Sequence, residues 1–185
     1  AKIFIISYPD FAKISTFESK DESIYVGLAF SETEHLIALT GMPKYKLQVW
    51  FWRTHDLLVS KETGMFTDKQ KITCSNSLPL TVAQFAYKKG ELVVWEIHGS
   101  QKLLKLIKRK IELNFLKTHA PFNDVYTIEG NLLITNRHGE IFYVAPMTAS
   151  VNLVVKRNEG EVAEENRNFN ACIAYLRNGA LIAGK

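Results

Sequence analysis

Cysteine is almost missing from this 185-residue sequence: there are two, Cys74 and Cys172, and no CxxC pair. That excludes a disulfide framework and a zinc knuckle, and leaves reduced thiols in a cytoplasmic compartment as the simplest reading. Long apolar runs are missing too. The longest, Ala1 to Tyr8, is broken by Lys2 and stops at Pro9, far short of the roughly 20 residues of a membrane helix. It also lacks the basic start and small-residue cleavage site of a signal peptide, so no membrane insertion is expected. The excess of one charge is small, +4 with a pI near 9.0, too weak to argue for nucleic acid. Disorder is excluded by a 46% hydrophobic content. The chain does not open on Met and stops at Gly184-Lys185 directly after an apolar run, which reads as a fragment.

Chemistry-bearing patterns are equally scarce. His35, His55, His98, His119 and His138 make no HxH or HExxH spacing and no acidic cluster joins them. His55, His98 and His138 fall at expected turns. No G-x-S-x-G elbow, P-loop or G-x-G-x-x-G turn occurs, and Cys74 and Cys172 lie in strand-like runs as small apolar residues. No catalytic, cofactor-binding or metal-binding residue is therefore assigned, and no cofactor is expected.

Helical periodicity is rare, whereas short β-branched and aromatic runs are frequent. Sixteen of them, from Ile3–Ser7 to Ala180–Ala183, are separated by turn signals such as Gly41-Met42-Pro43, Lys89-Gly90, Glu129-Gly130 and Asn178-Gly179. The expected class is all-β. Three hairpins repeat a tight turn followed by an apolar strand with a late aromatic: Lys46 to Trp50, Glu91 to Trp95 and Glu140 to Tyr143. Ile6 aligns with Trp50 in the same way. A four-strand period near 40–45 residues is that of a β-propeller blade, whose sheet buries both faces and so loses clean alternation. The expected fold is a β-propeller fragment with blades over 24–61, 71–112 and 124–157, and partial blades over 1–23 and 171–185. Trp50, Trp95 and Tyr143 should occupy equivalent places. A sandwich or barrel is the alternative.

Trp50-Phe51 and Trp95-Glu96 stand where WD repeats carry their Trp-Asp pair, with Thr40 and Trp50 filling two places of the hydrogen-bonded set and no Asp in the turn Gly41–Tyr45. This resembles a degenerate WD repeat. The stretch Leu36–Pro43, then Leu47-Gln48-Val49-Trp50-Phe51-Trp52-Arg53-Thr54, with Gly90–Ile97 and Tyr175–Gly184, is similar to the cilia- and flagella-associated WD-repeat proteins. That resemblance implies a non-enzymatic propeller joined to long coiled coils, which tethers or scaffolds dynein arms on axonemal microtubules. Its partners would be axonemal dynein-associated or microtubule-associated subunits, in the cytoskeleton of a cilium or flagellum. A general cytoplasmic WD-type adaptor, or part of a propeller enzyme whose site lies elsewhere, are the alternatives.

Two charged segments remain. Lys102 to Ile111 holds five basic residues. It reads as the outer strand of a blade, where Lys blunts an exposed edge, in preference to an amphipathic basic helix. Glu159 to Glu165 reads as a solvated inter-blade loop.

Overall fold

The computed structural model describes residues 1–18, 22–31, 34–67, 69–75, 79–86, 91–100, 103–111, 122–128, 130–136, 140–148, 150–155, 172–175 and 181–184. Lys102, His119, His138 and the acidic stretch 159–165 lie outside them. All sixteen expected strands are present: β1 Lys2–Ile6, β2 Lys13–Glu18, β3 Tyr25–Phe30, β4 His35–Thr40, β5 Lys46–Phe51, β6 Asp56–Glu62, β7 Gln70–Ser75, β8 Leu80–Ala86, β9 Glu91–His98, β10 Lys105–Ile111, β11 Phe122–Ile128, β12 Asn131–Asn136, β13 Ile141–Ala145, β14 Ser150–Val155, β15 Cys172–Tyr175 and β16 Leu181–Gly184. None of the described residues forms a helix long and apolar enough to cross a membrane.

The strands pair in chain order into three antiparallel four-stranded sheets, β3 to β6 (sheet I), β7 to β10 (sheet II) and β11 to β14 (sheet III), with two-stranded sheets β1–β2 and β15–β16 beside them. The first strands β3, β7, β11 and β15 meet one another in succession, and β6 meets β10 on the outside. By position β15–β16 is therefore a first-and-second pair. Sheet β1–β2, which packs Ile3 and Phe17 on Leu36, Ala38 and Trp50, is a third-and-fourth pair.

Alternation along each middle strand sends neighbouring side chains into two different cores. In β4 and β5, Leu36, Ala38 and Trp50 face β1–β2, whereas Ile37, Leu39, Leu47 and Val49 face sheet II. In sheet II, Val82, Ala86, Val93 and Trp95 return that contact, and Ala83, Phe85, Leu92 and Val94 pack on Val125, Leu132, Ile134, Phe142 and Val144 of sheet III. Gly27 permits the close approach of β3 to β7, since a Cβ there would stand 3.3 Å from Ile72 Cγ1. Thr127 Oγ1 donates to the Cys74 carbonyl at 2.7 Å and ties β7 to β11.

The aromatic positions agree only in part with the sequence reading. Counted from the turn pairs Thr40/Lys46, Ala86/Glu91 and Asn136/Glu140, Trp50 and Trp95 occupy one place, opposite Leu36 and Val82. The third sheet puts Val144 there, opposite Leu132. Tyr143 is on the right strand but one residue off, which turns it to the other face with Leu133 and Ile141.

The two tryptophans differ in their hydrogen bonding. Trp95, 0% exposed, donates its indole N–H to Gln84 Oε1 at 2.8 Å, and Gln84 Nε2 donates to Gln70 Oε1 at 2.6 Å. Gln70 in turn donates to the Thr67 carbonyl. Trp50, 9% exposed, has no partner for its N–H. It packs edge-on against Phe17, ring centroids 5.6 Å apart. Thr40 does not join it: its hydroxyl donates to the Lys44 carbonyl at 2.5 Å and accepts from Lys46 N–H at 2.9 Å, closing its own turn. Trp95→Phe removes the donor of a buried glutamine and should cost about 1–3 kcal/mol more than Trp50→Phe, which removes only an unpaired N–H. Urea midpoints of the two variants at equal m-value check this.

Candidate functional site

The segment Trp50 to Thr54 forms the rim of sheet I, and its residues split between core and surface. Trp50 wedges inward. At the turn that follows, His55 adopts a left-handed backbone (φ 64), which sets its Nε2 2.6 Å from Ser15 Oγ and its ring 5.0 Å from Phe17. The turn is thus clipped to β2.

Trp52 is half-buried and packs on the edge of the cluster that holds Trp50 and Phe17. Arg53 stacks over its ring at 4.6 Å and pairs with Glu34, Nε to Oε1 3.4 Å. Phe30 backs the indole at 6.0 Å. The Trp52 backbone N–H donates to the Glu34 carbonyl, and His35 meets the ring of Phe51 at 6.3 Å. Burial lowers the His35 pKa, against the opposing charge of Glu34. The result is a half-buried indole carrying the exposed Arg53 and flanked by the exposed Phe30, a composition enriched at protein interfaces. It holds no nucleophile and no general base aligned on one.

A second polar cluster lies on the sheet II face that looks toward sheet III. The buried Glu96 receives Arg109 (Nε to Oε1 2.5 Å) and His98 (Nε2 to Oε2 2.8 Å). The bond from His98 holds the carboxyl below the usual range, burial opposes it, and Arg109 adds to the lowering. His98, read as a turn residue, ends β9 instead. The Cys74 thiol is pushed up to about 12 by burial, so it is not an activated nucleophile. Among the described residues no group of three or more His, Cys, Asp or Glu could hold a metal.

The basic segment is a strand, β10, over Lys105–Ile111, but its charges are not all free in solvent. Lys108 donates to the Thr63 carbonyl and lies 5.5 Å over the Trp95 ring. Lys61 answers from β6 by donating to the Leu106 carbonyl at 3.0 Å. With Arg109 on Glu96, two of the basic side chains are inter-strand ties, a role set by partners far away in the chain.

No family model matches the chain, and no curated protein does. Solved structures do match. The WD40 domain of SCAP from fission yeast superposes with TM-score 0.55 at 11% identity, over 84% of this chain and 38% of that one. The WD40 domain of Toxoplasma gondii coronin gives 0.54 at 13%, over 85% and 40%. The fold is a WD40-like β-propeller fragment, and the four-stranded sheets are its blades. A complex of KlAtg21 with the coiled coil of AgAtg16 gives 0.66 at 12%, over 98% of this chain and 57% of that one. The chain thus spans less than two thirds of the length of these similar chains.

Because the Glu96 carboxylate is held low in the folded state, its stabilisation is present above the ordinary carboxylate range and lost as pH falls through the lowered folded value. Urea midpoints measured from pH 7 down to 3 should fall below about pH 4.3, and less steeply in Glu96→Gln. At pH 7, Arg109→Ala should cost about 1–2 kcal/mol, the half-exposed guanidinium being screened by water.

Proposed function

We propose that this chain is a non-catalytic protein-binding scaffold of the ciliary or flagellar axoneme, with dynein-associated or microtubule-associated subunits as partners. The observation that carries the reading is the Trp50–Thr54 strand end. It belongs to the stretches that resemble the cilia- and flagella-associated WD-repeat proteins, and it builds both the buried wedge and the Trp52–Arg53 platform. An aromatic ring carrying a guanidinium desolvates well against a protein surface and supplies directional donors at its edge. The KlAtg21 neighbour is bound to a coiled coil, which agrees with a helical partner for such a propeller. The proposed location follows from the same resemblance.

Localisation of the tagged full-length protein in ciliated cells tests the cellular half of this reading: a signal confined elsewhere overturns it. Co-sedimentation with isolated axonemes tests the surface. Trp52→Ala with Arg53→Ala should weaken binding about tenfold or more, equivalent to about 1.4 kcal/mol. Lys105→Glu with Lys110→Glu changes only exposed charges and should weaken it modestly, more at low salt. Equal losses from both double variants at every ionic strength would place the contact on β10 instead.

A further inference from the structure

The link from β6 to β7 joins sheets I and II at the end of β5 opposite the Trp52–Arg53 platform, and it holds one aromatic ring in solvent. The buried Thr63 donates its backbone N–H to the Tyr45 carbonyl at 2.9 Å, immediately before β5 begins. Its hydroxyl accepts the Met65 N–H at 3.2 Å. Gly64 makes the turn between them at φ +72, a backbone conformation that glycine adopts without steric cost. Met65 then enters the core between sheets I and II. The next residue, Phe66, turns to solvent and is 76% exposed.

Two ties hold the backbone on either side of that ring. Lys108 of β10 donates to the Thr63 carbonyl, and Gln70 of β7 donates to the Thr67 carbonyl. Both lead to Trp95: the Lys108 ammonium lies over its ring, and Gln70 reaches its N–H through Gln84. Phe66 thus stands on a fixed backbone, and Tyr45 meets its ring edge-on, centroids 5.8 Å apart and planes at 87°. Met42, 62% exposed, belongs to the same β4–β5 turn as Tyr45. A ring left in water adds little to the stability of the fold, whereas one on a fixed backbone loses little entropy when a partner covers it.

The charges around these two turns give the sign of what would cover it. Lys44, Lys46 and Lys69 belong to them, and the Lys108 ammonium is 3.4 Å from where a Cβ on Gly64 would stand. Against these four are Glu62, which lies opposite Lys46 in the ladder, and Asp68, which lies outside the described residues.

We propose that Phe66, Tyr45 and Met42 form a second docking surface, and that its occupant is an acidic segment of another protein carrying one bulky apolar side chain. That side chain packs on Phe66 and Met42, and the flanking carboxylates meet Lys44 and Lys69. An aromatic anchor inside a charged rim is the usual distribution of binding energy at such a contact. The surface is separate from the Trp52–Arg53 platform and stands whether or not that platform binds.

Fluorescence anisotropy on the whole chain tests this with a labelled peptide of Asp and Glu residues around one central Phe. Saturable binding is expected, and a counterpart with Lys at every acidic position should bind about tenfold more weakly or less. Phe66→Ala should weaken the acidic peptide about tenfold with far-UV circular dichroism unchanged, because the side chain lies outside the core. Lys44→Glu with Lys69→Glu should weaken it strongly at low salt, the loss shrinking as ionic strength rises. Met147→Ala removes a similarly exposed apolar side chain from sheet III and should leave the affinity unchanged. The proposal is overturned by the absence of saturable binding, by equal affinity for the two peptides, by a Phe66→Ala variant that binds as wild type, or by an equal loss in Met147→Ala.

Discussion

The middle strands of the three four-stranded sheets bury side chains on both faces, and most of the molecule follows from that one constraint. A strand that packs on two sides cannot alternate apolar with polar residues, so Leu92, Val93, Val94 and Trp95 run consecutively, odd residues into one core and even ones into the next. At about 25 cal/mol per Å² of apolar surface, each fully buried Leu or Val contributes about 1.5–3 kcal/mol. The middle strands therefore carry the stability and the outer strands carry the charge. Lys61, Lys105, Lys108, Arg109 and Lys110 all lie on β6 or β10. The same constraint penalises any polar group on a middle strand unless it is paired. Gln84 is tolerated at 0% exposure because Trp95 and Gln70 satisfy it from either side.

The repeats preserve shape while their hydrogen bonds diverge. Trp50 and Trp95 fill the same volume, yet Gln84 in sheet II is replaced at the matching place in sheet I by Ala38, and the Trp50 N–H goes unpaired. The end of the second strand tells a similar story with different residues. In sheet I Thr40 caps the turn to Lys46. In sheet III Asn136 does so, accepting the Glu140 N–H at 3.0 Å and donating to its carboxylate at 2.6 Å. A short polar side chain at that place takes up the turn's amide, and in sheet III it does so beside the backbone bond from Asn136 N–H to the Glu140 carbonyl at 3.2 Å. A regular WD set is thus not needed to hold the sheet. Burial fixes the architecture, and local polar partners are chosen case by case.

This division explains what could be read from residues alone. Strand positions were legible because β-branched and aromatic runs between Gly and Pro turns are local signals, and their spacing revealed the four-strand unit. The face of Tyr143 was not, because register is set from the turn pair Asn136/Glu140, and counting from the aromatic slips by one residue. The place of His98 was missed because its partner Glu96, two residues away, matters only once β9 extends to include it. The ties made by Lys108 and Lys61 were invisible because they join residues 45 apart in sequence. The Trp52–Arg53–Glu34 platform lay in plain sight as residues, but only the fold brings Glu34 and Phe30 to the same rim.

The rim and the core are also coupled mechanically. Trp50 and Trp52 are two residues apart, one packed on Phe17 and the other carrying Arg53, and the turn between β5 and β6 is clipped to β2 through His55 and Ser15. Removing the clip would free the turn that carries the platform while leaving β3 to β6 paired. A platform held this way loses little side-chain entropy when a partner arrives, since Arg53 is already stacked and paired. The same packing that fills the space between two sheets therefore preorganises the surface beside it.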